Sequence, residues 1–438
     1  MDRVAHLAPD VSIAASPVAV IGAGYAGMAA AVILAERGVP VTVYESGALP
    51  GGRARRVAPH GRSLDNGQHL LIGAYTELFR LMRQVGVPAD AVLRLPLELH
   101  YADGFALRAL RLPAPLGLLG GLLTARGLPF GERIGAMRFM LAQQRRGFQL
   151  DDDCSVDALL ARHAQDGRIA HYLWRPLCVS ALNTPAAQAS ARVFLAVLRD
   201  TFAGEADASD LIFTRVDLSR LFPEAAAAYV VTHGGTIRLR SPVRALGRDG
   251  ADLVVDGERY RRVVLACGPH QLGAFATLLP ELAPLAATVQ GYGTQPIYTC
   301  YLQYPDHVRL PGPLLGLAHG HVQWVFDRRL LTGGNGQLAC VISAQGDHQQ
   351  LTHDALAKTC HRELAAALPG LPAPLWSQVI AEKRATIACN AGIRRVGPRT
   401  PLEGLYLAGD YTDPEYPPTL EAAVRSGVRA AGLAAGTK

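Results

Sequence analysis

The apolar run Val18 to Ile21 ends in Gly22-Ala23-Gly24-Tyr25-Ala26-Gly27, and this junction narrows the fold more than any other stretch of the chain. Met28 to Arg37 has helical composition and stops at Gly38, after which Val39 to Tyr44 restores strand composition and ends on Glu45. The order is strand, glycine turn, helix, strand, acid, the opening unit of a Rossmann-like α/β fold. Gly22 permits the tight turn. Gly24 lets the main chain approach a pyrophosphate, and Gly27 allows helix and strand to pack closely, with the helix N-terminus facing the anion. Glu45 follows Gly22 by 23 positions. A carboxylate there accepts from ribose hydroxyls and disfavours a 2′-phosphate, so NADP is a poor candidate.

The neighbouring residues extend this reading. Gly51-Gly52-Arg53 follows closely on the acid, and a glycine pair with an Arg can bring a guanidinium to the pyrophosphate as a bidentate donor. Near the other end, Leu405-Tyr406-Leu407-Ala408-Gly409-Asp410 reads as an apolar strand ending in Gly-Asp, and Thr419 to Ala431 as a helix of small residues.

Composition excludes several classes. A chain of 438 residues, 49% hydrophobic and 18% charged, is folded and long enough for about three domains. Its 43 Lys and Arg against 37 acids are dispersed, which does not suit a nucleic-acid partner. The seven cysteines form no C-x-x-C pair and the His form no H-E-x-x-H, so no metal site is expected. Val11 to Ala35 is uncharged and would pass for a spanning helix, but Pro17 and the glycine turn favour a short buried strand. Asp2, Arg3 and Asp10 argue against a secretory signal. The expectation is a cytoplasmic protein with a short, loose N-terminal arm.

The N-terminal glycine turn with its acid and PGGRA, the central VVLACGP at 263–269 and the C-terminal LYLAGDYTDPEYPPTLEAAVRSGVRAA at 405–431 together resemble the FAD-dependent amine oxidase and phytoene desaturase superfamily. The resemblance implies FAD as cofactor. It also implies that Asp410 meets the flavin ribityl chain or the pyrophosphate, that the Leu420 backbone N–H lies near isoalloxazine O2, and that the Val243 backbone faces the adenine, with plain strand burial as the alternative for Val243. Within the superfamily, Leu64 to Tyr75, Trp174 to Pro185 and the Val197–Asp200 and Ser209–Leu211 segments resemble the hydroxysqualene dehydroxylases of bacterial hopanoid synthesis, a match running from about residue 17 to the C-terminus. That family implies removal of a hydroxyl from hydroxysqualene and delivery of a hydride from reduced FAD, giving squalene. Upstream enzymes of squalene synthesis become possible partners. Two alternatives stay open: a carotenoid-type desaturase or amine oxidase, and a flavin-holding subunit without turnover.

In this frame His69 is the candidate acid for the leaving water, with a role in hydrogen-bonding main chain or flavin as the alternative. Gln68 could orient the hydroxyl, and Asp65 could set the His69 tautomer. Trp324 could present an aromatic face to a passing cation, although packing is the commoner fate of a strand Trp.

The organisation expected is a discontinuous FAD-binding domain from residues 17–90, 225–275 and 395–438, and an inserted α+β substrate-binding domain from 91–224 and 276–394. Asp151-Asp152-Asp153 reads as a solvated turn and helix start. Leu112 to Ala125 is uncharged; as helix it would reach only ~21 Å against a hydrocarbon core of ~30 Å, so it cannot span. Ile134, Met137 and Leu141 then form a stripe among Arg133, Arg138, Arg145 and Arg146. With a lipophilic isoprenoid substrate, segment 112–146 is expected to touch an anionic membrane surface peripherally, Arg heads at phosphate level.

Overall fold

The computed structural model describes residues 16–112, 115–202, 204–205 and 207–436. The expected N-terminal arm lies outside this range.

Five short strands form one parallel sheet, in the order Thr236–Arg238, Val41–Tyr44, Val18–Ile21, Arg262–Leu265, Leu405–Leu407. Its three middle strands are almost wholly buried, because helices and loops cover both faces of a parallel sheet; this is why they read as continuous apolar runs. Helices Tyr25–Glu36 and Leu420–Ala434 pack together on one face. The other face meets Leu272–Leu278, Ala283–Gln290 and a small antiparallel sheet of residues 246–260. The first helix begins at Tyr25, three residues before the expected start, because its first turn lies inside the glycine motif.

A second, antiparallel sheet has the order Leu314–Gly316, Trp324–Asp327, Gln337–Ser343, Thr294–Gln303, Trp376–Ile387. Helix His353–Ala367 covers one face. The opposite face, with Tyr301, Trp324, Phe326 and Val341, turns towards the helices of residues 116–202. A three-stranded sheet of Leu70–Ile72, Leu211–Thr214 and Val92–Leu95 lies between the two units. The fold is therefore α/β, with a discontinuous Rossmann-like part and an inserted α+β part.

Candidate functional site

The glycine turn is built to bring main chain close to a ligand. Gly22 has φ +109°, and a Cβ there would stand 2.6 Å from the Ala266 carbonyl oxygen. A Cβ on Gly27 would lie 1.9 Å from the Gly22 oxygen, so helix and strand touch backbone to backbone. Gly24 differs: its nearest neighbour would be Gly52 Cα at 3.8 Å, which leaves open space above the turn. Helix Tyr25–Glu36 has no side-chain N-cap and no acid in its first turn. Uncapped N–H groups beside an open glycine fit a dinucleotide diphosphate.

Glu45 lies at the end of the neighbouring strand. Its Oε2 accepts from Ala23 N at 2.8 Å and its Oε1 from Gly47 N at 2.6 Å. The carboxylate is thus fixed beside the turn, with lone pairs left for ribose hydroxyls. Ser241 N donates to the Glu45 carbonyl at 2.8 Å and Arg240 N to that of Gly47 at 2.9 Å, which brings the chain leading to Val243 alongside. Val243 itself is half-buried and outside any strand. The strand ends at Arg238, so strand burial is corrected to a loop position.

Gly51 bridges to Gly24, and its N–H donates to Ala23 O at 2.8 Å. The Arg53 guanidinium, expected at a pyrophosphate, donates within the protein to Asp410 Oδ1 at 2.5 Å and to the Ala385 carbonyl at 2.6 Å. Burial works against its charge, but Asp410 together with Glu382 and Tyr411 outweighs that, and the Arg53 pKa rises. Two residues assigned to one cofactor from opposite ends of the chain therefore meet. Gly409 N donates to Ser426 Oγ at 2.9 Å. Leu420 is half-buried and opens the last helix behind its N-cap, Thr419. The next residue, Glu421, was not anticipated: it is fully buried and accepts from Glu77 N, Leu78 N and Arg425 Nε. Its position at a helix start and its Arg425 partner one turn on were legible, but its two main-chain partners are over 340 residues away.

The segment 65–69 joins the two units. Asn66 Nδ2 donates to the Arg53 carbonyl at 3.1 Å, and Gln68 N to Thr299 Oγ1 at 3.2 Å. The His69 ring bonds the Gly67 carbonyl through Nδ1 at 2.8 Å. Burial lowers its pKa, with the Gly67 bond opposing, so the ring is neutral at pH 7 with its proton on Nδ1. Asp65 does not set that tautomer, which corrects the expectation. Its Oδ1 accepts from Leu218 N at 2.8 Å, and burial pushes its pKa up to about 6. Gln68 Oε1 accepts from Nη1 of Arg328 at 2.9 Å. Arg328 was missed; the Arg pair following the strand Trp324–Asp327 was the available signal.

Trp324 faces the helical side of the antiparallel sheet. Its indole N–H donates to Ser180 Oγ at 2.9 Å, and its ring lies 5.3 Å from that of Tyr101, which also contacts Phe105 and Tyr172. Trp324 pairs with Val341 and Val341 with Thr299. At ~4.8 Å per strand, Trp324 is ~10 Å across the sheet from the Gln68 anchor. A largely apolar sheet face therefore runs from the junction segment to an aromatic cluster.

Two expectations outside this region are revised. Asp153 is no solvated helix start: it accepts from Cys154 N, Ser190 Oγ, Arg192 N and Gly392 N, and the helix begins after the Ser155 cap. Residues 116–124 are a helix whose Leu118, Leu119 and Leu122 are buried, leaving Leu112, Leu116 and Leu123 exposed with Phe130. In the following helix, Phe130–Arg145, the buried positions are Ala136, Phe139, Met140 and Gln143, while Ile134, Met137 and Leu141 are half-buried. Arg133 is not a free phosphate-level head, since it donates to the carbonyls of Leu123 and Leu128. Among the described residues no helix is long and apolar enough to cross a membrane.

Residues 25–435 match the family model of flavin containing amine oxidoreductase. Hydroxysqualene dehydroxylase from Rhodopseudomonas palustris is 32% identical, with 94% of this chain and 97% of that protein covered; the enzyme of that name from Sinorhizobium fredii is 28% identical, over 95% and 97%. A solved structure of putrescine oxidase with bound putrescine superposes with a TM-score of 0.68 at 17% identity, covering 95% of this chain and 98% of that one, and shows the shared fold. The chain belongs to the flavin-containing amine oxidoreductases and, within them, to the hydroxysqualene dehydroxylase family.

Proposed function

We propose that this oxidoreductase binds FAD and converts hydroxysqualene to squalene. The observation that carries the reading is the match to the Rhodopseudomonas palustris hydroxysqualene dehydroxylase over nearly the full length of both chains. The geometry is in keeping with it: the segment 65–69 links a turn fitted to a dinucleotide to the apolar face of the antiparallel sheet. Reduced FAD supplies the hydride when bound. In the balanced reaction the alcohol's C–O bond breaks and its oxygen leaves as water with one added proton. The carbon takes the hydride, and reduced flavin becomes oxidised flavin.

The chain's own residues supply binding and orientation. Gly22, Gly24 and Gly27 would admit the diphosphate, Glu45 the ribose, and Gly52, Arg53, Gly409, Asp410 and the Leu420 amide the flavin half. Val243, in the loop beside Glu45, would lie towards the adenine. Gln68 and His69 would lie between the cofactor and the apolar sheet face. His69, neutral with Nδ1 bonded to Gly67, is better suited to hold this segment than to give up a proton. The exposed Leu112, Leu116, Leu123 and Phe130, near Arg111 and Arg126, suit peripheral contact with an anionic membrane on the cytoplasmic side, from which an isoprenoid would be drawn.

Steady-state assay of the purified flavoprotein with a chemical reductant and hydroxysqualene in detergent tests the reading. Squalene is the expected product. Catalytic consumption of a carotenoid or an amine by the oxidised protein, without squalene formation from the alcohol, would overturn it.

A further inference from the structure

Among the described residues Arg328 is the one fully buried arginine, 4% exposed. It forms no ion pair there. The adjacent Asp327 carboxylate is taken up by the main-chain amides of Leu310 and Arg329. Arg328 is met by neutral groups instead: Nη1 donates to Gln68 Oε1 at 2.9 Å, Nε to Gln337 Oε1 at 2.6 Å, and its guanidinium carbon lies 5.2 Å from the Tyr301 ring centroid. Its charge also acts on the buried Asp65 carboxyl, lowering that group's pKa against the effect of burial, and a buried cation without a direct ion pair is costly. Its effect on Gln68 is specific.

A carboxamide has an accepting and a donating end of nearly equal shape, and a flip exchanges them. Arginine only donates, so it fixes the oxygen end of Gln68 towards itself and turns the NH2 end away. One of those hydrogens goes to the His69 carbonyl at 3.3 Å; the other has no protein partner among the described residues. The Gln68 main chain is pinned to Thr299, at one end of the Thr299–Val341–Trp324 ladder. The donor is therefore fixed in polarity at the edge of an otherwise apolar sheet face. A guanidinium set directly against the reacting carbon would oppose the positive charge that grows as a C–O bond breaks. A neutral amide held by that guanidinium can still donate to the oxygen.

We propose that Arg328 is a positioning residue that locks the Gln68 amide as a hydrogen-bond donor to the substrate's hydroxyl oxygen, so that the pair selects an alcohol over the corresponding hydrocarbon. This rests on the dehydroxylase reading, in which the product lacks the oxygen and loses the hydrogen bond on formation. A site built around such a donor rejects an analogue that lacks the acceptor, since the donor is then left unpaired.

The test is binding to the oxidised, flavin-loaded protein, where no turnover competes. Hydroxysqualene and squalene are titrated separately in detergent micelles, flavin absorbance reports each Kd, and the ratio of the two is the readout. The wild-type protein is expected to favour the alcohol by about tenfold or more. Gln68→Glu, whose carboxylate can pair with Arg328, should melt no lower than wild type and keep its flavin, yet lose that preference. Arg328→Met should lose it and Arg328→Lys should restore part of it. A merely structural role would weaken both ligands together and leave the ratio unchanged. A wild-type ratio near one, or Gln68→Glu with the wild-type ratio, would overturn the proposal. Failure of the functional reading is read separately, as absence of squalene from the reduced protein, whereas failure of this proposal shows as squalene formed with a wild-type binding ratio near one.

Discussion

Asp65 shows how far a residue's role departs from what its neighbours in sequence suggest. It stands four positions before His69, but its carboxyl meets Leu218 N, 153 residues away. Burial raises its pKa from 3.8 to about 6. Above pH 6 the folded protein holds a buried carboxylate that the unfolded chain would hold in water, so folding is weakened. As pH falls from 6 towards 3.8 the folded form takes the proton first and the penalty disappears, which places the effect at about 3 kcal/mol. Asp65→Asn should therefore stabilise the protein by up to that amount in urea unfolding at pH 8 and by little at pH 4; equal shifts at both would refute the assignment. His69 has the opposite sign, since burial holds it neutral. His69→Ala should retain flavin and keep turnover within about tenfold, whereas a loss in the 10²–10⁴ range of general acid catalysis would make it the proton donor. The glycine turn and Glu45 were legible because their contacts are local. The Arg53–Asp410 pair was not, since it joins residues 357 positions apart.

At the scale of elements, helix Leu420–Ala434 was readable from its small residues, as a helix over Thr419 to Ala431. What required them is a contact: a Cβ on Gly427 would stand 2.1 Å from the Ala26 carbonyl oxygen in the first helix. Gly427→Val should force these helices apart, cost about 1–3 kcal/mol or more, and release flavin, read as a lower melting temperature and a colourless protein. A variant that stays yellow with an unchanged melting temperature would contradict this packing. Helix Leu116–Thr124 shows the converse limit. Its Leu and Gly give no amphipathic contrast, so sequence could not separate buried Leu118, Leu119 and Leu122 from exposed Leu116 and Leu123.

At the scale of the molecule, five of the exposed large apolar side chains fall between Leu110 and Phe130, with Phe130 66% and Leu116 55% exposed. We propose that these side chains form the surface that meets a membrane. Replacing Leu112, Leu116, Leu123 and Phe130 together by Ser should leave melting nearly unchanged and abolish flotation with anionic liposomes; undiminished flotation would remove the patch from the membrane account. Ser at Leu118, Leu119 and Leu122 should instead unfold this region. The parallel sheet draws its strands from three distant stretches, and each stretch announced itself as an apolar run. Their order did not, because the pairing of Val18 with Arg262 depends on everything folded between them. The central claim is hydride delivery to the carbon that loses oxygen. The direct measurement is one anaerobic turnover: the flavoprotein is reduced in D2O, where the flavin hydride exchanges with solvent, mixed with hydroxysqualene, and followed by flavin absorbance and lipid mass. One squalene carrying one deuterium per flavin reoxidised is the predicted result. Flavin that stays reduced while the alcohol is recovered intact would contradict it.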